Sequence, residues 1–208
     1  MNYLFVDIET FGNKPRLEDV KVPSTYKKAD SIAKYQFENL DKQWRKNALD
    51  SMNARILCIS FALNDGPVQT VSGEEDALMK EFDDYLATIN PLDTAVVAHN
   101  GLNFDFPFII HRAFRDSLRN VYKMFTFKGK TDPRLKDTQD IWKHTDYKAY
   151  HSFDSVARFL GLEGKGEIDG SMVHNLYLNG EIDRICEYCE DDVEKMRKVF
   201  YHLQKVMG

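Results

Sequence analysis

The sequence of 208 residues lacks the features of several special classes of protein. Its three cysteines are odd in number and too few for a disulfide framework. No apolar run reaches the roughly 18 residues of a transmembrane helix, and the N-terminus lacks the basic region and cleavage site of a signal peptide. No internal repeat or low-complexity stretch is evident. We therefore expect a protein of the reducing cytoplasm, without a membrane span, that forms one well-packed domain.

Positive charge is scarce overall, since 28 Lys and Arg residues face 33 Asp and Glu residues, for a net charge of −5. Because contacts to phosphates need Lys and Arg, this balance argues mildly against a nucleic-acid binder. The charge is uneven, however, with nine basic against five acidic residues over 14–46 and ten against five over 112–148. These segments indicate either a locally basic surface or ordinary solvated faces.

The hydrophobic pattern predicts an α/β domain with a mixed sheet and helices on both of its faces. Residues 14–53 are polar and predict an excursion from the core. We predict strands over residues 3–6, 55–63, 68–72 and 94–98 and helices over residues 35–51, 74–89, 104–115, 152–160 and 181–206. Ser72 is the expected N-cap of the helix over 74–89.

Asp7 and Glu9 are two residues apart on a predicted strand, so their side chains point to the same face. Two adjacent carboxylates next to an apolar strand repel each other and are costly to desolvate, and a divalent cation on that face removes this cost. An exposed strand end is the alternative, because there such a pair is harmless. The pair alone does not decide between them.

Two further segments place acids where they need a partner. Asp105 follows the buried strand over 94–98 and lies at a predicted helix start, where it is either a metal ligand or a stabiliser of the helix. Tyr188 and Asp192 are four residues apart on the last helix and share its apolar face. A carboxylate within a buried stripe needs a compensating group, and a metal ion is one such group.

With these residues in this order, the chain resembles the DEDDy-type 3′–5′ exonucleases of the ribonuclease H-like superfamily. Three motifs carry the resemblance: Asp-Ile-Glu at 7–9, Asn-x3-Phe-Asp at 100–105 and Tyr-x3-Asp at 188–192. A sister branch has histidine where this chain has Glu187. Further likeness over residues 160–189 extends the resemblance to the predicted exonucleases related to the proofreading domain of family B DNA polymerases.

The resemblance implies a ribonuclease H-like five-stranded sheet, one exonuclease domain over 1–208, and an insertion at about 14–53. It also implies that Asp7, Glu9, Asp105 and Asp192 hold two divalent cations, Mg²⁺ or Mn²⁺, while Tyr188 orients the attacking water. Candidate contacts to the substrate are Thr10, Asn100, Asn103, Phe104 and Lys165. We interpret Asp137 as an acid behind the site, His99 as a hydrogen-bonding residue at its edge, and the Cys186–Cys189 pair as core.

The expected substrate is a nucleic acid with a free 3′ end, with single-stranded or frayed DNA favoured over RNA and nucleoside monophosphates as products. The expected partner is a separate polymerase or replication protein. Two alternatives remain open at this point. One is a 3′–5′ exoribonuclease of the ribonuclease D type, which would use the same acids. The other is a catalytically inactive relative that binds nucleic acid, and retention of all four acids with Tyr188 argues against it.

Overall fold

The computed structural model describes residues 1–125, 132–146, 148, 150–164, 166 and 168–207. The chain divides into two compact units. The larger unit comprises Met1–Glu9 and Ile56–Gly208, and the smaller unit comprises Thr10–Arg55. The domain arrangement expected from the sequence, one domain with an insertion, stays a prediction.

A five-stranded mixed sheet has the strand order β3-β2-β1-β4-β5. Strand β4 pairs in parallel with β1 and β5, whereas β3 pairs antiparallel with β2. The strands are β1 (Asn2–Gly12), β2 (Ala54–Leu63), β3 (Gln69–Ser72), β4 (Thr94–Ala98) and β5 (Leu135–Asp137). Asn64 adopts a left-handed conformation (φ 53°) at the start of the turn that joins the antiparallel strands β2 and β3.

Helices connect and follow these strands. They are α1 (Ala29–Asn47), α2 (Glu75–Leu86), α3 (Asp105–Asp116), α4 (Arg119–Phe125), α5 (Thr138–Lys143), α6 (Phe153–Phe159), α7 (Val173–Leu178) and α8 (Ile182–Met207). Short 3-10 turns occupy Leu17–Asp19 and Pro91–Asp93. None of the helices in the described ranges is both long and apolar enough to span a membrane.

The central strands are covered on both faces, as the sequence predicts for this fold class. Every residue of β4 is buried, and the consecutive residues Leu4, Phe5 and Val6 of β1 are 0% exposed. Because neighbouring side chains on a strand point to opposite faces, uninterrupted burial requires helices on both sides. The predicted α/β fold with a mixed five-stranded sheet is confirmed.

The smaller unit has its own contacts around Trp44 of helix α1. The indole N–H donates to the carbonyl of Gly12 at 2.7 Å, and the ring meets Phe11 edge-on at a centroid separation of 5.7 Å. The guanidinium of Arg55 lies 5.7 Å from the centroid of the Phe11 ring. No residue of α1 is fully buried, so the helix contributes half-buried side chains such as Trp44 to these contacts.

Some local predictions were wrong. Helix α1 begins at Ala29, six residues before the predicted start, and its polar sequence leaves one face only half-buried. Ser72 is the last residue of β3, and Glu74 occupies the N-cap position of α2 without a side-chain cap hydrogen bond. Gly73 separates the two elements with φ 119°, a conformation open to glycine.

Candidate metal centre

Strand β1 places Asp7 and Glu9 on the face that packs against helix α8. Residues 5, 7 and 9 share a face because strand side chains alternate, and the ring of Phe5 contacts Phe200 of α8 at a centroid separation of 5.6 Å. Asp192 lies about two turns earlier on α8. One carboxylate oxygen from each of Asp7, Glu9 and Asp192 lies within 4.8 Å of the other two. The structure thus brings together three of the four predicted acids at the spacing of a metal site.

The fourth acid, Asp105, is the first residue of helix α3 and lies outside this three-carboxylate group. Its side chain is buried, with 2% exposure, and its Oδ1 accepts the backbone N–H of Ile8 at 3.2 Å. This hydrogen bond ties the start of α3 to β1 between Asp7 and Glu9. Asp105 therefore lies directly beside the group, held by the backbone of the strand that carries two of its members.

The carboxylates crowd negative charge in a poorly solvated place. Burial raises the pKa of Asp7 well above its usual value. The negative charges of Asp105, Asp192 and Glu9, in decreasing order, add to this effect. Such a cluster retains protons that a divalent cation would displace, since a cation favours the ionised carboxylates.

Asp105 follows the same pattern. Burial raises the pKa of Asp105 to about 7, although hydrogen bonds from backbone N–H groups, including that of Ile8, act in the opposite direction. The negative charges of Asp137 and Asp192 contribute to this rise after burial. All the donor atoms are hard carboxylate oxygens, the ligands that Mg²⁺ and Mn²⁺ prefer. The residues present therefore fit divalent cations of this class.

Tyr188 lies one helical turn before Asp192 on α8 and is buried, with 6% exposure. Burial, followed by the negative charges of Asp192, Glu9 and Asp7, raises the pKa of the Tyr188 phenol. A hydrogen bond to the Asp192 carboxylate adds to the rise, so the hydroxyl keeps its proton and donates it to that carboxylate. The oxygen of this hydroxyl keeps lone pairs that can accept a hydrogen bond at the edge of the carboxylate group.

The turn that precedes Asp105 is held by Asp137, at the end of β5. The Asp137 carboxylate is buried and accepts the backbone N–H groups of Asn100 at 2.8 Å and Leu102 at 3.1 Å. Asn100 has a left-handed backbone (φ 60°), and a Cβ at Gly101 would lie 2.4 Å from the Cβ of Ala98. Asp137 thus contacts the backbone of this turn and fixes the entry to α3.

The predicted substrate contacts are placed as follows. Asn103 is exposed, and its amide donates to Asn100 Oδ1 at 3.1 Å. Phe104 is half-buried against Phe108, with ring centroids 4.9 Å apart. The hydroxyl of Thr10, in the smaller unit, donates to the carbonyl of Ala48 at 2.7 Å. Lys165 lies outside the described residues. The substrate roles of these residues remain predictions.

Cys189, which was predicted only to pack in the core, also contacts the carboxylate of Asp7. It is 0% exposed, as expected for a core cysteine, and its thiol donates to the backbone carbonyl and to Oδ2 of Asp7 at 3.4 and 3.3 Å. Its position three residues before Asp192, on the same face of α8, was the sequence signal for this contact.

His99, expected at the edge of the site, pairs its Nδ1 with the hydroxyl of Thr138 at 2.9 Å.

Comparison with known families gives one match to a family model. The model is described as a predicted 3′–5′ exonuclease related to the exonuclease domain of PolB, and it matches residues 49–208. This range is more than half of the chain and contains Asp105, Tyr188 and Asp192. It does not contain Asp7 and Glu9, which the geometry of β1 brings to the matched residues.

The proteins that are similar to this chain include two DNA polymerases. The "DNA polymerase III PolC-type" of Mycoplasma genitalium is 25% identical over 206 residues, which are 98% of this chain and 11% of that relative. The chain therefore spans about a tenth of that relative's length. A family B DNA polymerase from the hyperthermophilic archaeon Pyrobaculum calidifontis matches the whole chain with a TM-score of 0.62, 16% identity and coverage of 24% of its own chain. This structure shares the fold. The resemblance predicted from the motifs is confirmed.

Proposed function

Because this chain belongs to the family of predicted 3′–5′ exonucleases related to the exonuclease domain of PolB, we propose that it hydrolyses nucleic acid from the 3′ end. The substrate in this proposal is single-stranded or frayed DNA, and the products are nucleoside monophosphates. The larger and smaller units together form the exonuclease domain in this proposal. The cytoplasmic location expected from the free cysteines stays a prediction.

The observation that carries the proposal is the convergence of Asp7, Glu9 and Asp192 to within 4.8 Å. Asp192 comes from the family-matched residues, whereas Asp7 and Glu9 come from a strand outside them. The geometry therefore supports the proposal independently of the family match. A structural role alone does not account for three carboxylates and a buried fourth beside them, because their mutual repulsion destabilises the fold.

In the proposed site, Asp7, Glu9, Asp105 and Asp192 would hold two divalent cations, Mg²⁺ or Mn²⁺. Bound cations of this kind activate a water and stabilise the leaving oxygen in phosphoryl transfer. The carboxylates fix where those cations bind, and their partial burial keeps competing water away. The hydrogen bond from Ile8 to Asp105 and the thiol of Cys189 on Asp7 hold two of these side chains in place.

Tyr188 has a separate role in the proposal. Its hydroxyl hydrogen is engaged by Asp192, so its oxygen is oriented to accept a hydrogen bond from the attacking water. A water held in this way directs a lone pair at the phosphorus atom, which lowers the entropic part of the barrier. The raised pKa of Tyr188 argues against a role for this phenol as a general base near neutral pH.

The preference for DNA and the polymerase partner rest on the relatives. Both individual proteins reported above are DNA polymerases by name. We propose on this basis that the chain removes nucleotides from DNA 3′ ends in concert with a separate polymerase. A 3′–5′ exoribonuclease would use the same acids, so matched DNA and RNA strands at one salt concentration distinguish the two substrates.

The direct test follows a 5′-labelled single strand through time in Mg²⁺ or Mn²⁺. We expect stepwise shortening from the 3′ end with release of mononucleotides, and none in EDTA. Asp7→Ala and Asp192→Ala are each expected to abolish shortening while the protein stays folded by circular dichroism, because each removes a proposed cation ligand.

The matched control is Glu187→Ala, which removes an exposed acid from the neighbouring position on α8. This variant is expected to keep full activity. An intact strand with both metals in the wild-type protein would exclude the proposed function. Full activity of Asp7→Ala or Asp192→Ala would instead exclude the assigned site.

A further inference from the structure

A second concave site lies wholly within the smaller unit. It is a cleft of about 580 Å³, bounded by the segment after β1 and by the C-terminal half of α1. All of the residues that line it belong to Thr10–Arg55. Four of them are cationic: Lys14, Arg16, Lys21 and Lys46. We call this feature the basic cleft.

The charges of the basic cleft are not all neutralised by its two acids. Asp19 is engaged by Arg16, with an Oδ1 to Nη2 distance of 3.4 Å. The carboxylate of Asp50 accepts the backbone N–H of Met52 at 3.0 Å. Lys21 and Lys46 are exposed and form no ion pair with an acid in the described part of the chain. Two ammonium groups are therefore available to an anion.

The remaining cation and the amides give the cleft a fixed shape. The Lys14 ammonium lies 5.2 Å from the centroid of the Trp44 ring, a cation–π contact that holds it near the cleft. Gln43 donates to Asn47 Oδ1 at 2.8 Å, and Asn47 donates to the carbonyl of Asn13 at 2.8 Å. The lining thus combines cations with amide groups that are already ordered, which suits phosphate and sugar oxygens.

The smaller unit differs in charge from the rest of the chain. It has ten Lys and Arg against six Asp and Glu, whereas the larger unit has eighteen against twenty-seven. A site of clustered carboxylates repels a polyanion except where cations are bound. Affinity for the remaining phosphates must then come from basic side chains elsewhere, and the basic cleft supplies four of them.

We propose that the basic cleft binds the phosphodiester backbone of the single strand whose 3′ end is hydrolysed. This inference rests on the proposed function for its choice of ligand. The cleft begins at Asn13, four residues after Glu9 in the sequence, and β1 continues without a break through Gly12. Cations and amides that contact phosphates carry no base preference, so the cleft strengthens binding equally for different sequences.

The test measures binding without hydrolysis. Fluorescence anisotropy of a labelled single-stranded oligonucleotide of about 20 nucleotides, titrated in EDTA, reports affinity whether or not the protein cleaves DNA. Lys21→Gln with Lys46→Gln is expected to raise Kd roughly tenfold at low salt and to reduce the slope of log K against log salt by about 1.4. Matched RNA is expected to show the same loss.

The control is Lys27→Gln with Lys28→Gln, which removes the same charge from exposed positions of the same unit outside the cleft lining. We expect a change in Kd below twofold in this variant. An equal weakening in both double variants would overturn the inference, because the effect would then be net charge alone. An unchanged Kd in the cleft variant would overturn it as well.

Cleavage assays separate this inference from the proposed function. On a long strand, the cleft variant is expected to show a raised KM with kcat unchanged, since none of the four proposed metal ligands lines the cleft. On a dinucleotide, too short to occupy a second site, wild type and variant are expected to react alike. An equal rise in KM on both substrates would contradict the cleft assignment, whereas absence of cleavage in wild type would contradict only the proposed function.

Discussion

At the scale of single residues, the hydroxyl of Tyr188 is the group whose role a one-atom change can isolate. Its proton is engaged by Asp192, and the phenol is buried beside the acids. Tyr188→Phe keeps the ring in the core and removes only the group that would orient the attacking water. We expect kcat to fall roughly a hundredfold, in the range found when an oriented catalytic group is lost.

Metal affinity is the readout that separates this role from others. Isothermal titration with Mn²⁺ is expected to give the same affinity for Tyr188→Phe as for wild type, because no carboxylate is removed. Tyr201→Phe is the control, since Tyr201 lies on the same helix and packs against Phe5 with a centroid separation of 5.5 Å. Weaker Mn²⁺ binding by Tyr188→Phe would show that the hydroxyl holds the ligands rather than the water.

At the scale of secondary-structure elements, the contact between α2 and α3 depends on a buried ion pair. Glu75 Oε1 lies 2.7 Å from Arg112 Nε, with side-chain exposures of 12% and 6%. The same carboxylate accepts the backbone N–H of Ile56, and its second oxygen pairs with Arg115. Glu75→Gln removes the carboxylate charge that faces the buried guanidinium of Arg112 at 2.7 Å, so we expect the free energy of unfolding to fall by about 3 kcal/mol, as measured by urea denaturation at pH 7.

The difference in the free energy of unfolding between wild type and Glu75→Gln should depend on pH. Burial alone would raise the pKa of Glu75, but hydrogen bonds from Ile56, Arg112 and Arg115 lower it below its usual value. A lowered pKa gives stability that is present above the unfolded value, about 4.3, and is lost as pH falls through the folded value. The difference between wild type and Glu75→Gln should therefore shrink below about pH 4.

Asp76→Asn is the matched control on the same helix. Its side chain is 85% exposed, and its pairing with Arg115 lies at the surface, where an ion pair contributes about 0–1 kcal/mol. We expect its loss of stability to stay below about 1 kcal/mol at every pH. A fall in the free energy of unfolding as large as that of Glu75→Gln would show that surface charge, rather than the buried pair, is the source of the stabilisation.

The helices and strands also show which sequence signals are sufficient to predict secondary structure. Strand β4 and helix α8 agree with prediction within one residue at each end, since an unbroken apolar run and a long apolar stripe are both distinctive. Helices α4, α5 and α7, which have six or seven residues each, were not predicted. Their positions depend on tertiary packing, which a local pattern does not contain.

At the scale of the whole molecule, the acids that the sequence singled out converge only because distant segments fold together. Asp7 and Asp192 stand near opposite ends of the chain, yet their oxygens lie within 4.8 Å. Residue type and order were enough to single out three acids that the fold brings together. The contact of the Cys189 thiol with Asp7 had one indirect signal, the position of Cys189 three residues before Asp192. The contact of the Asp137 carboxylate with the turn at Asn100 had no local signal, because it joins elements far apart in sequence.

We expect this convergence to make the stability of the folded chain depend on metal and on pH. Burial, with neighbouring charges, raises the pKa values of Asp7 and Asp105, the latter to about 7. Raised pKa values mean that the folded chain binds protons that the unfolded chain releases above about pH 4. Without metal, stability from this source is therefore greatest at low pH and declines as pH rises through about 7.

Mg²⁺ is expected to reverse that decline, because it stabilises the ionised carboxylates in the folded state alone. At about a hundred times its Kd, the ion should add about 2.7 kcal/mol, or on the order of 5–10 °C in Tm. At pH 5 protons compete with Mg²⁺, so the shift in Tm should be smaller than at pH 8. Thermal unfolding in EDTA and in Mg²⁺ at these two pH values measures both effects.

The variant Asp7→Asn tests whether the shifts in Tm with Mg²⁺ and pH arise at the proposed site. The substitution removes a carboxylate that is costly to ionise when no metal is present, so the metal-free variant should be at least as stable as wild type at pH 8. It also removes a ligand, so the shift in Tm with Mg²⁺ should largely disappear. A purely structural Asp7 would give the opposite result, with a destabilised metal-free variant and an unchanged response to Mg²⁺. The change in metal-free stability and the change in the Tm response to Mg²⁺, taken together, therefore distinguish two cases. In a cation site, binding relieves the repulsion between the acids, whereas structural acids stabilise the fold through their own hydrogen bonds.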